Sequence, residues 1–314
     1  MSTIEENKDD KNKKTKKIFR YGNYNRYYGR RNNTNSPAYI DPRIKIFPDN
    51  YFKMKKILDI GCNVGAVTLT IAKNYSPQMI IGIDIDSHLI GVARKNIRHY
   101  CDSNIPIKDL YPKSFYNDNN DQLRSDLGNH DDDCFKVNLF PNNVWFLHEN
   151  YVLESDVYLE GVQQEYDIIL ALSITKWIHL NFGDDGIKRF FKRAFLNLNL
   201  GGKFVLECQE YKSYYKKAKQ DKELLRNYKE IKFKPNDFKD YLLSDEVGFV
   251  KHEELGIPKG SGEGYNRLIE VYIKDTKFKR KRKAKESIVE YKEEVNNKIL
   301  HSKVIKFADS SDED

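Results

Sequence analysis

The stretch Ile57-Leu-Asp-Ile-Gly-Cys-Asn-Val-Gly65 predicts how the chain folds, because an apolar β-strand runs there directly into a glycine loop. Residues Lys56 to Ile60 have the composition of a buried strand. Glycines at positions 61 and 65 allow a sharp turn and a close approach of the backbone to a ligand. The spacing is G-x-x-x-G, which differs from the G-x-G-x-x-G of dinucleotide-binding proteins.

The elements after this loop predict an α/β fold. Residues Ala66 to Tyr75 have helical spacing, Met79 to Ile85 form a β-branched strand, and Ser87 is a candidate N-cap for a helix through His99. A strand–helix–strand–helix order implies parallel strands joined by right-handed crossovers. We therefore predict a Rossmann-like fold with a mostly parallel sheet.

Two acids, Asp84 and Asp86, end the second predicted strand. An acid about 20 residues beyond a glycine loop can accept hydrogen bonds from both hydroxyls of a cofactor ribose. The loop is short for a phosphate-binding loop, and S-adenosylmethionine carries no phosphate. The glycines and acids together therefore favour S-adenosylmethionine as the cofactor.

The rest of the chain continues the α/β pattern after one interruption. The acidic stretch Tyr116 to Asp133, within an interruption from Cys101 to Asn142, has almost no apolar residues, so we predict a disordered insertion there. The later predicted elements are strands Val144 to Leu147 and Tyr166 to Ile174, a helix from Gly186 to Leu198, a turn and strand from Leu200 to Glu207, a mostly helical stretch from Leu224 to Leu243, and a last strand from Asn266 to Lys274.

Charged segments flank this pattern. The net charge is +7, and seven of the nine residues from Lys277 to Lys285 are basic. Such a run is typical of a nuclear-import signal or an RNA-binding tail. We predict a basic tail over 1–17, one catalytic domain over 18–275 with its insertion at 101–142, and a charged tail over 276–314.

The four cysteines are scattered along the sequence. Cys62, Cys101, Cys134 and Cys208 form no C-x-x-C pair and have no histidine at zinc spacing, which argues against a disulfide framework and against a metal site. No apolar run approaches the roughly 20 residues that a membrane span needs. We therefore expect a soluble intracellular protein.

An aromatic and basic arm precedes the first strand. Tyr21 to Arg31 contains four tyrosines, three arginines and two glycines, a composition that suits unstacked bases and phosphates. The tyrosines could equally form an apolar lid over the site. Together with the cofactor loop, the arm indicates an enzyme that modifies RNA.

A second candidate substrate segment, Ser173 to His179, follows the buried strand at the edge where open α/β sheets bind substrates. Lys176 could bind a phosphate there. Trp177 could stack on a base or pack in the core, and we expect His179 to be a structural hydrogen-bonding residue.

Five segments identify the chain as similar to a known family: YGNYNRYYGRRN, LDIGCNVG, GIDID, LSITKWIHLNFGDDG and LGGKFVLE. They resemble the Bin3 family of RNA methyltransferases, in register from Phe19 to about Lys274 outside the insertion. The resemblance implies a class I S-adenosylmethionine-dependent fold and a nuclear enzyme. The implied reaction moves a methyl group to the γ-phosphate at the 5′ end of a small non-coding RNA, to which the enzyme then stays bound.

The same resemblance implies two sets of site residues. The catalytic residues that face the RNA end would be Tyr27, Arg31 and Lys176. The cofactor-binding residues would be Tyr28, Arg43, Gly61, Cys62, Asn63, Asp84, Ile85, Asn150 and Leu172. The family's usual proline and tryptophan after the last of these segments are replaced here by Cys208 and Tyr211.

Two other functions remain open from the sequence. The first is a methyltransferase that acts on a 5′-monophosphate of RNA. The second is an RNA-binding scaffold of a small ribonucleoprotein whose catalysis is lost or incidental. The long arm and basic tail favour the triphosphate substrate over the first, and the intact Gly61, Gly65 and Asp84 argue against the second.

Overall fold

The computed structural model describes residues 19–24, 27–32, 40–101, 139–259, 262 and 264–275. The chain divides into two units, Met1–Thr276 and Lys277–Asp314, and all the described residues lie in the first. Both predicted tails, and residues 102–138 of the predicted insertion, lie outside the described residues. The predicted disorder there stays a prediction.

The described residues form a seven-stranded sheet in the order β3-β2-β1-β4-β5-β7-β6. The strands are β1 (Lys56–Ile60), β2 (Met79–Asp84), β3 (Val144–His148), β4 (Tyr166–Leu172), β5 (Leu198–Glu207), β6 (Phe249–Gly256) and β7 (Ile269–Lys274). Strands β1 to β5 are parallel, whereas β7 is antiparallel to both β5 and β6. The predicted mostly parallel sheet is confirmed.

The central strands are apolar because helices cover both of their faces. All of Ile57 to Ile60 in β1, and most of β4, is buried, and a continuous apolar run of this kind is typical of a parallel sheet. The carboxyl ends of β1, β2, β4 and β5 consequently meet at one edge. Polar residues that follow those strands are therefore brought together.

Seven α-helices occur in the described part of the chain, and none is long and apolar enough to cross a membrane. They are α1 (Tyr27–Asn32), α2 (Ala66–Asn74), α3 (Ser87–Tyr100), α4 (Thr175–Asn197), α5 (Tyr215–Ala218), α6 (Lys222–Glu230) and α7 (Phe238–Leu243). The single helical turn expected in the arm is α1.

Two sequence predictions need correction, and one strand was missed. Asp86, and not Ser87, is the N-cap of α3, because its carboxylate accepts hydrogen bonds from the backbone of His88 and Leu89. Helix α4 starts eleven residues before the predicted Gly186, with Gly183 in a non-helical conformation inside it. The mostly helical stretch predicted from Leu224 to Leu243 is confirmed, and it contains the end of α6 and all of α7, with a short 3₁₀ turn from Pro235 to Asp237 before α7. Strand β6 was not predicted.

Candidate active site

A cavity of about 470 Å³ opens at the carboxyl edge of the sheet. Apart from Arg43, whose charge is paired with Asp41 and Glu207, its charged lining is divided into two halves by the strand order. The acidic half consists of Asp59 within β1, Asp84 at the end of β2 and Glu149 directly after β3. The basic half consists of Lys176, Lys212, Lys216, Lys217 and Arg267, which lie beside β4, β5 and β7.

The glycine loop forms the floor of the acidic half. Gly61 has a φ of +73°, and a Cβ placed on it would lie 2.4 Å from Cγ2 of Ile174. A side chain is therefore excluded at this position both by conformation and by space. The amide of Asn63 lines the same surface, and its buried Oδ1 has no hydrogen-bond partner in the described part of the chain.

Asp84 holds the loop against the end of β2. Its Oδ2 accepts a hydrogen bond from the backbone N–H of Asn63 (2.9 Å), and its Oδ1 accepts one from the backbone N–H of Asp86 (2.9 Å). Burial raises the pKa of this carboxyl above its usual value. Each oxygen keeps acceptor capacity toward the cavity, whereas Asp86 caps α3 and does not line the cavity.

Asp59 is the deepest acid of the cavity. Its carboxylate accepts a hydrogen bond from Thr68 Oγ1 at 2.6 Å. Burial raises the pKa of Asp59 to about 6. A cation in the acidic half would favour the charged form of this residue.

The aromatic arm lies across the opening of the cavity. Gly22 packs so closely on the indole of Trp177 that a Cβ would lie 2.2 Å from the ring. Tyr24 meets the same indole edge-on, with ring centroids 6.0 Å apart. Trp177 lines the cavity but is partly covered by the arm, so it contributes to packing and to the cavity wall together.

A buried ionic cluster joins the arm to the sheet. Glu207, at the end of β5, is fully buried and lies 2.6 Å from Arg31 Nη2 and 3.3 Å from Arg43 Nη1. It also accepts a hydrogen bond from the hydroxyl of Ser173. Asp41 makes a bidentate contact to Arg43 at 2.9 Å from both Nε and Nη2. Although burial opposes it, the charges of Arg43 and Arg31 lower the pKa of Glu207 below its usual value.

Most residues that the family resemblance implies line this cavity. They are Tyr27, Tyr28, Arg43, Gly61, Asn63, Asp84, Ile85, Asn150, Leu172 and Lys176. Cys62 lies behind the loop, where its carbonyl is 3.5 Å from the hydroxyl of Tyr28. The structure brings these residues together, and their roles stay predictions.

Arg31 is placed differently from the expected contact with RNA. Its side chain has no exposed surface and does not line the cavity. One end of its guanidinium pairs with Glu207, and Nη1 lies 3.1 Å from the hydroxyl of Tyr27. In this structure Arg31 orients Tyr27 and anchors α1, because a guanidinium buried among these partners cannot reach a ligand.

Lys176 is the most buried cation of the basic half, with 7% of its surface exposed. Its Nζ donates a hydrogen bond to Ser213 Oγ at 3.2 Å. Burial, with added repulsion from Arg267 and Lys217, lowers the pKa of Lys176 to about 8. His179 lies outside the cavity lining, buried, with Nε2 2.8 Å from Asp184 Oδ1.

The sequence interpretation missed several residues of the site. It did not identify four of them, namely Glu207, Lys217, Tyr265 and Arg267. Two of these had a signal in the sequence, since Glu207 is a charged residue at the end of an apolar strand and Arg267 is a basic residue after a glycine-rich run. At Tyr211, which replaces the family's tryptophan, an aromatic ring is retained, and it stacks on Tyr228 at 5.3 Å.

Comparisons with known proteins agree on one family. The model for Bicoid-interacting protein 3 (Bin3) matches residues 166–274. The 7SK snRNA methylphosphate capping enzyme of Homo sapiens is 37% identical in an alignment that covers 83% of this chain and 40% of that protein. The U6 snRNA methylphosphate capping enzyme Amus of Drosophila melanogaster is 37% identical over 82% of this chain and 75% of that protein. A "probable RNA methyltransferase" of Arabidopsis thaliana is 33% identical over 83% of each.

Solved structures are more distant. The bifunctional kinase-methyltransferase WbdD has a TM-score of 0.45 and 14% identity, over 77% of this chain and 40% of that chain. A likeness at this level does not indicate an activity.

The strand order, with β7 inserted antiparallel between β5 and β6, and the glycine loop followed by an acid define a class I methyltransferase fold. The predicted fold class is confirmed. With relatives that are 33% and 37% identical across 83% and 75% of their length, the chain belongs to the Bin3 family. It spans 40% of the length of the human relative and 42% of the mouse relative.

We predict that Asp84→Ala weakens binding of S-adenosylmethionine by about 1–3 kcal/mol, the cost of leaving polar groups without their acceptor. Titration calorimetry on the folded variant measures this. Asp86→Ala is the matched control, because that acid caps α3 without lining the cavity. Unchanged affinity in Asp84→Ala would contradict the assignment of this residue.

We also predict that Glu207→Gln lowers the free energy of unfolding by about 3–5 kcal/mol, because it leaves two buried guanidiniums without their shared counter-charge. Urea denaturation measures the loss. Glu246→Gln is the control, since its exposed carboxylate lies 3.9 Å from Lys192 and such a pair contributes about 0–1 kcal/mol. Equal stability of the two variants would show that the cluster does not hold the fold.

Proposed function

We propose that this protein is an S-adenosylmethionine-dependent methyltransferase that methylates the 5′ γ-phosphate of a small RNA. The observation that supports this most is the division of one cavity into an acidic half and a basic half. A positively charged methyl donor fits the first half, and a multiply charged phosphate chain fits the second. The human and Drosophila relatives are named for the same kind of reaction, on 7SK and U6 snRNA.

The residues of the acidic half fit S-adenosylmethionine. Its sulfonium and ammonium groups are cations, and its ribose carries two hydroxyl donors. Asp84 has acceptor capacity for such hydroxyls, and the buried Oδ1 of Asn63 lacks a donor among the described residues. When bound, the cofactor would supply an electrophilic methyl group on a sulfur that leaves as a neutral thioether.

The chain's own residues then need to align the reactants more than to move protons. A terminal phosphate has a second pKa near 6, so its oxygen is already an anion at neutral pH. The phosphate oxygen would form a bond to the methyl carbon as the carbon–sulfur bond breaks, and the phosphate would lose one negative charge. Lys176 would hold that phosphate, and Tyr27, oriented by Arg31, would limit its position.

The substrate class follows from the basic half and from the relatives. We propose a small non-coding RNA with a 5′ triphosphate, to which the protein stays bound, and a nuclear location. The basic run from Lys277 to Lys285 supports the nuclear location. The catalytic domain is proposed to span 18–275.

The pKa of Lys176 predicts the alkaline limb of the pH profile. Below about pH 8 the ammonium is charged and binds phosphate, and as the pH rises through that value the charge is lost. We expect kcat/KM for RNA to fall above about pH 8. The corresponding fall in kcat should begin at a higher pH, because a bound phosphate stabilises the charged form of the lysine. Lys176→Arg should shift the limb in kcat/KM upward. A flat profile from about pH 7 to pH 9 would contradict this role of Lys176.

The proposed function itself is tested with purified protein, tritium-labelled S-adenosylmethionine and one RNA prepared with either a 5′ triphosphate or a 5′ hydroxyl. We expect label to enter only the RNA with 5′ phosphates. Equal labelling of both RNAs would show methylation of a base or ribose instead, and no labelling with intact cofactor binding would favour an RNA-binding scaffold.

A further inference from the structure

The basic half of the cavity carries more positive charge than the carboxylates near it can neutralise. In the buried cluster two carboxylates, Asp41 and Glu207, balance two guanidiniums, Arg31 and Arg43. Arg267 adds a third guanidinium beside this neutral set. Its Nη1 donates to Ser173 Oγ at 2.8 Å and its Nη2 donates to the carbonyl of Gly264 at 2.8 Å. Both partners are uncharged, so the positive charge of Arg267 is left over.

Lys217 adds a second surplus charge. Its Nζ lies 5.0 Å from the ring centroid of Tyr24, and within the described ranges neither Lys217 nor Arg267 forms an ion pair with a carboxylate. Lys212 on the exposed rim behaves differently, since it pairs with Glu210 at 2.5 Å. Lys176, Lys217 and Arg267 are thus buried or half-buried cations of the cavity that have no carboxylate partner among the described residues, which is the arrangement expected of an anion site.

The depth of the three cations orders them along the cavity. Lys176 is buried, whereas Lys217 and Arg267 are half-buried and closer to the opening. They lie close enough to Lys176 for their repulsion to affect it. A phosphate chain that enters from the opening must bring its terminal phosphate deepest, toward the acidic half, so its inner phosphates lie beside the two outer cations.

We propose that Lys217 and Arg267 bind the phosphates between the methylated phosphate and the first nucleoside, so that the cavity distinguishes a triphosphate end from a monophosphate end. The inference rests on the proposed function and adds to it the residues that determine how many phosphates are needed. A guanidinium fork suits paired phosphate oxygens, and an ammonium on a flexible stem suits a single oxygen. A monophosphate end can occupy only the deep position at Lys176.

Arg267 also contacts Ser173, which in turn bonds to Glu207. A purely structural role would therefore reduce activity by the same factor on every substrate. A phosphate-binding role would instead reduce activity by a larger factor on RNAs that carry more 5′ phosphates. The number of 5′ phosphates on the RNA is accordingly the readout that separates the two roles.

The test measures kcat/KM for methyl transfer to one RNA carrying one, two or three 5′ phosphates. Lys217→Ala and Arg267→Gln are compared with Lys219→Ala and Arg226→Gln, which change exposed residues that do not line the cavity. We expect the first two variants to lose about tenfold to a hundredfold on triphosphate RNA and much less on monophosphate RNA. The two controls should keep the preference of the unaltered protein.

Two results would overturn the inference. One is an equal loss on all three RNAs, which would assign Lys217 and Arg267 to structure alone. The other is no loss on triphosphate RNA. Lys217→Ala carries the test if Arg267→Gln does not fold, because Lys217 makes no contact with the buried cluster in the described residues. Absence of transfer by the unaltered protein to every RNA would instead refute the proposed function, so the two failures are distinguishable.

Discussion

The buried carboxylate of Glu207 constrains most of the site, because two arginines from a distant part of the chain share it. It lies at the end of β5 and contacts Arg31 in α1 and Arg43 in the segment before β1. A buried ion pair is strongly destabilised when one partner is lost, since the remaining charge stays in a medium of low polarity. The cluster therefore fixes where the aromatic arm crosses the cavity, and so where Tyr27 and Tyr28 lie. Whether such a cluster adds net stability matters less than the single geometry that it specifies.

In the cavity, unlike in the buried cluster, some charged side chains are buried without a close ion pair in the described part of the chain. Burial raises the pKa values of Asp59 and Asp84, although the charges of Arg43 and His148, respectively, act in the opposite direction, and Lys176 is buried without an anionic partner among the described residues. Burial of these charged groups makes the protein less stable in isolation, and ligands of opposite sign would offset that cost. Perturbed titratable groups of this kind cluster at functional sites. The parallel strand order keeps the acids beside β1, β2 and β3 and the cations beside β4, β5 and β7, so the two ligands would meet near the middle of the edge.

Local patterns in the sequence predicted the part of this site that depends on local structure. Gly61 follows an apolar strand and Asp84 ends the next one, at a spacing that is typical of a cofactor site. Six of the seven strands in the described residues were located from the sequence, all except β6. Contacts between distant residues could not be. Arg31 and Glu207 are 176 positions apart, and nothing near Arg31 indicates that its guanidinium turns inward to a buried carboxylate instead of toward RNA. Arg267 was missed because it lies in an irregular loop. The N-cap of α3 was placed one residue late, at Ser87, because serine and aspartate are both common N-caps and sequence alone does not distinguish between two such neighbours.

The most direct measurement of the central claim is mass spectrometry of the 5′-terminal nucleotide after reaction with triphosphate RNA and S-adenosylmethionine that carries a deuterated methyl group. The two-halved cavity predicts that the label lies on the terminal phosphate, because only an anionic oxygen held at Lys176 would be aligned with the donor in the acidic half. Label on a base or a ribose hydroxyl, with the terminal phosphate unmodified, would contradict this account of the site.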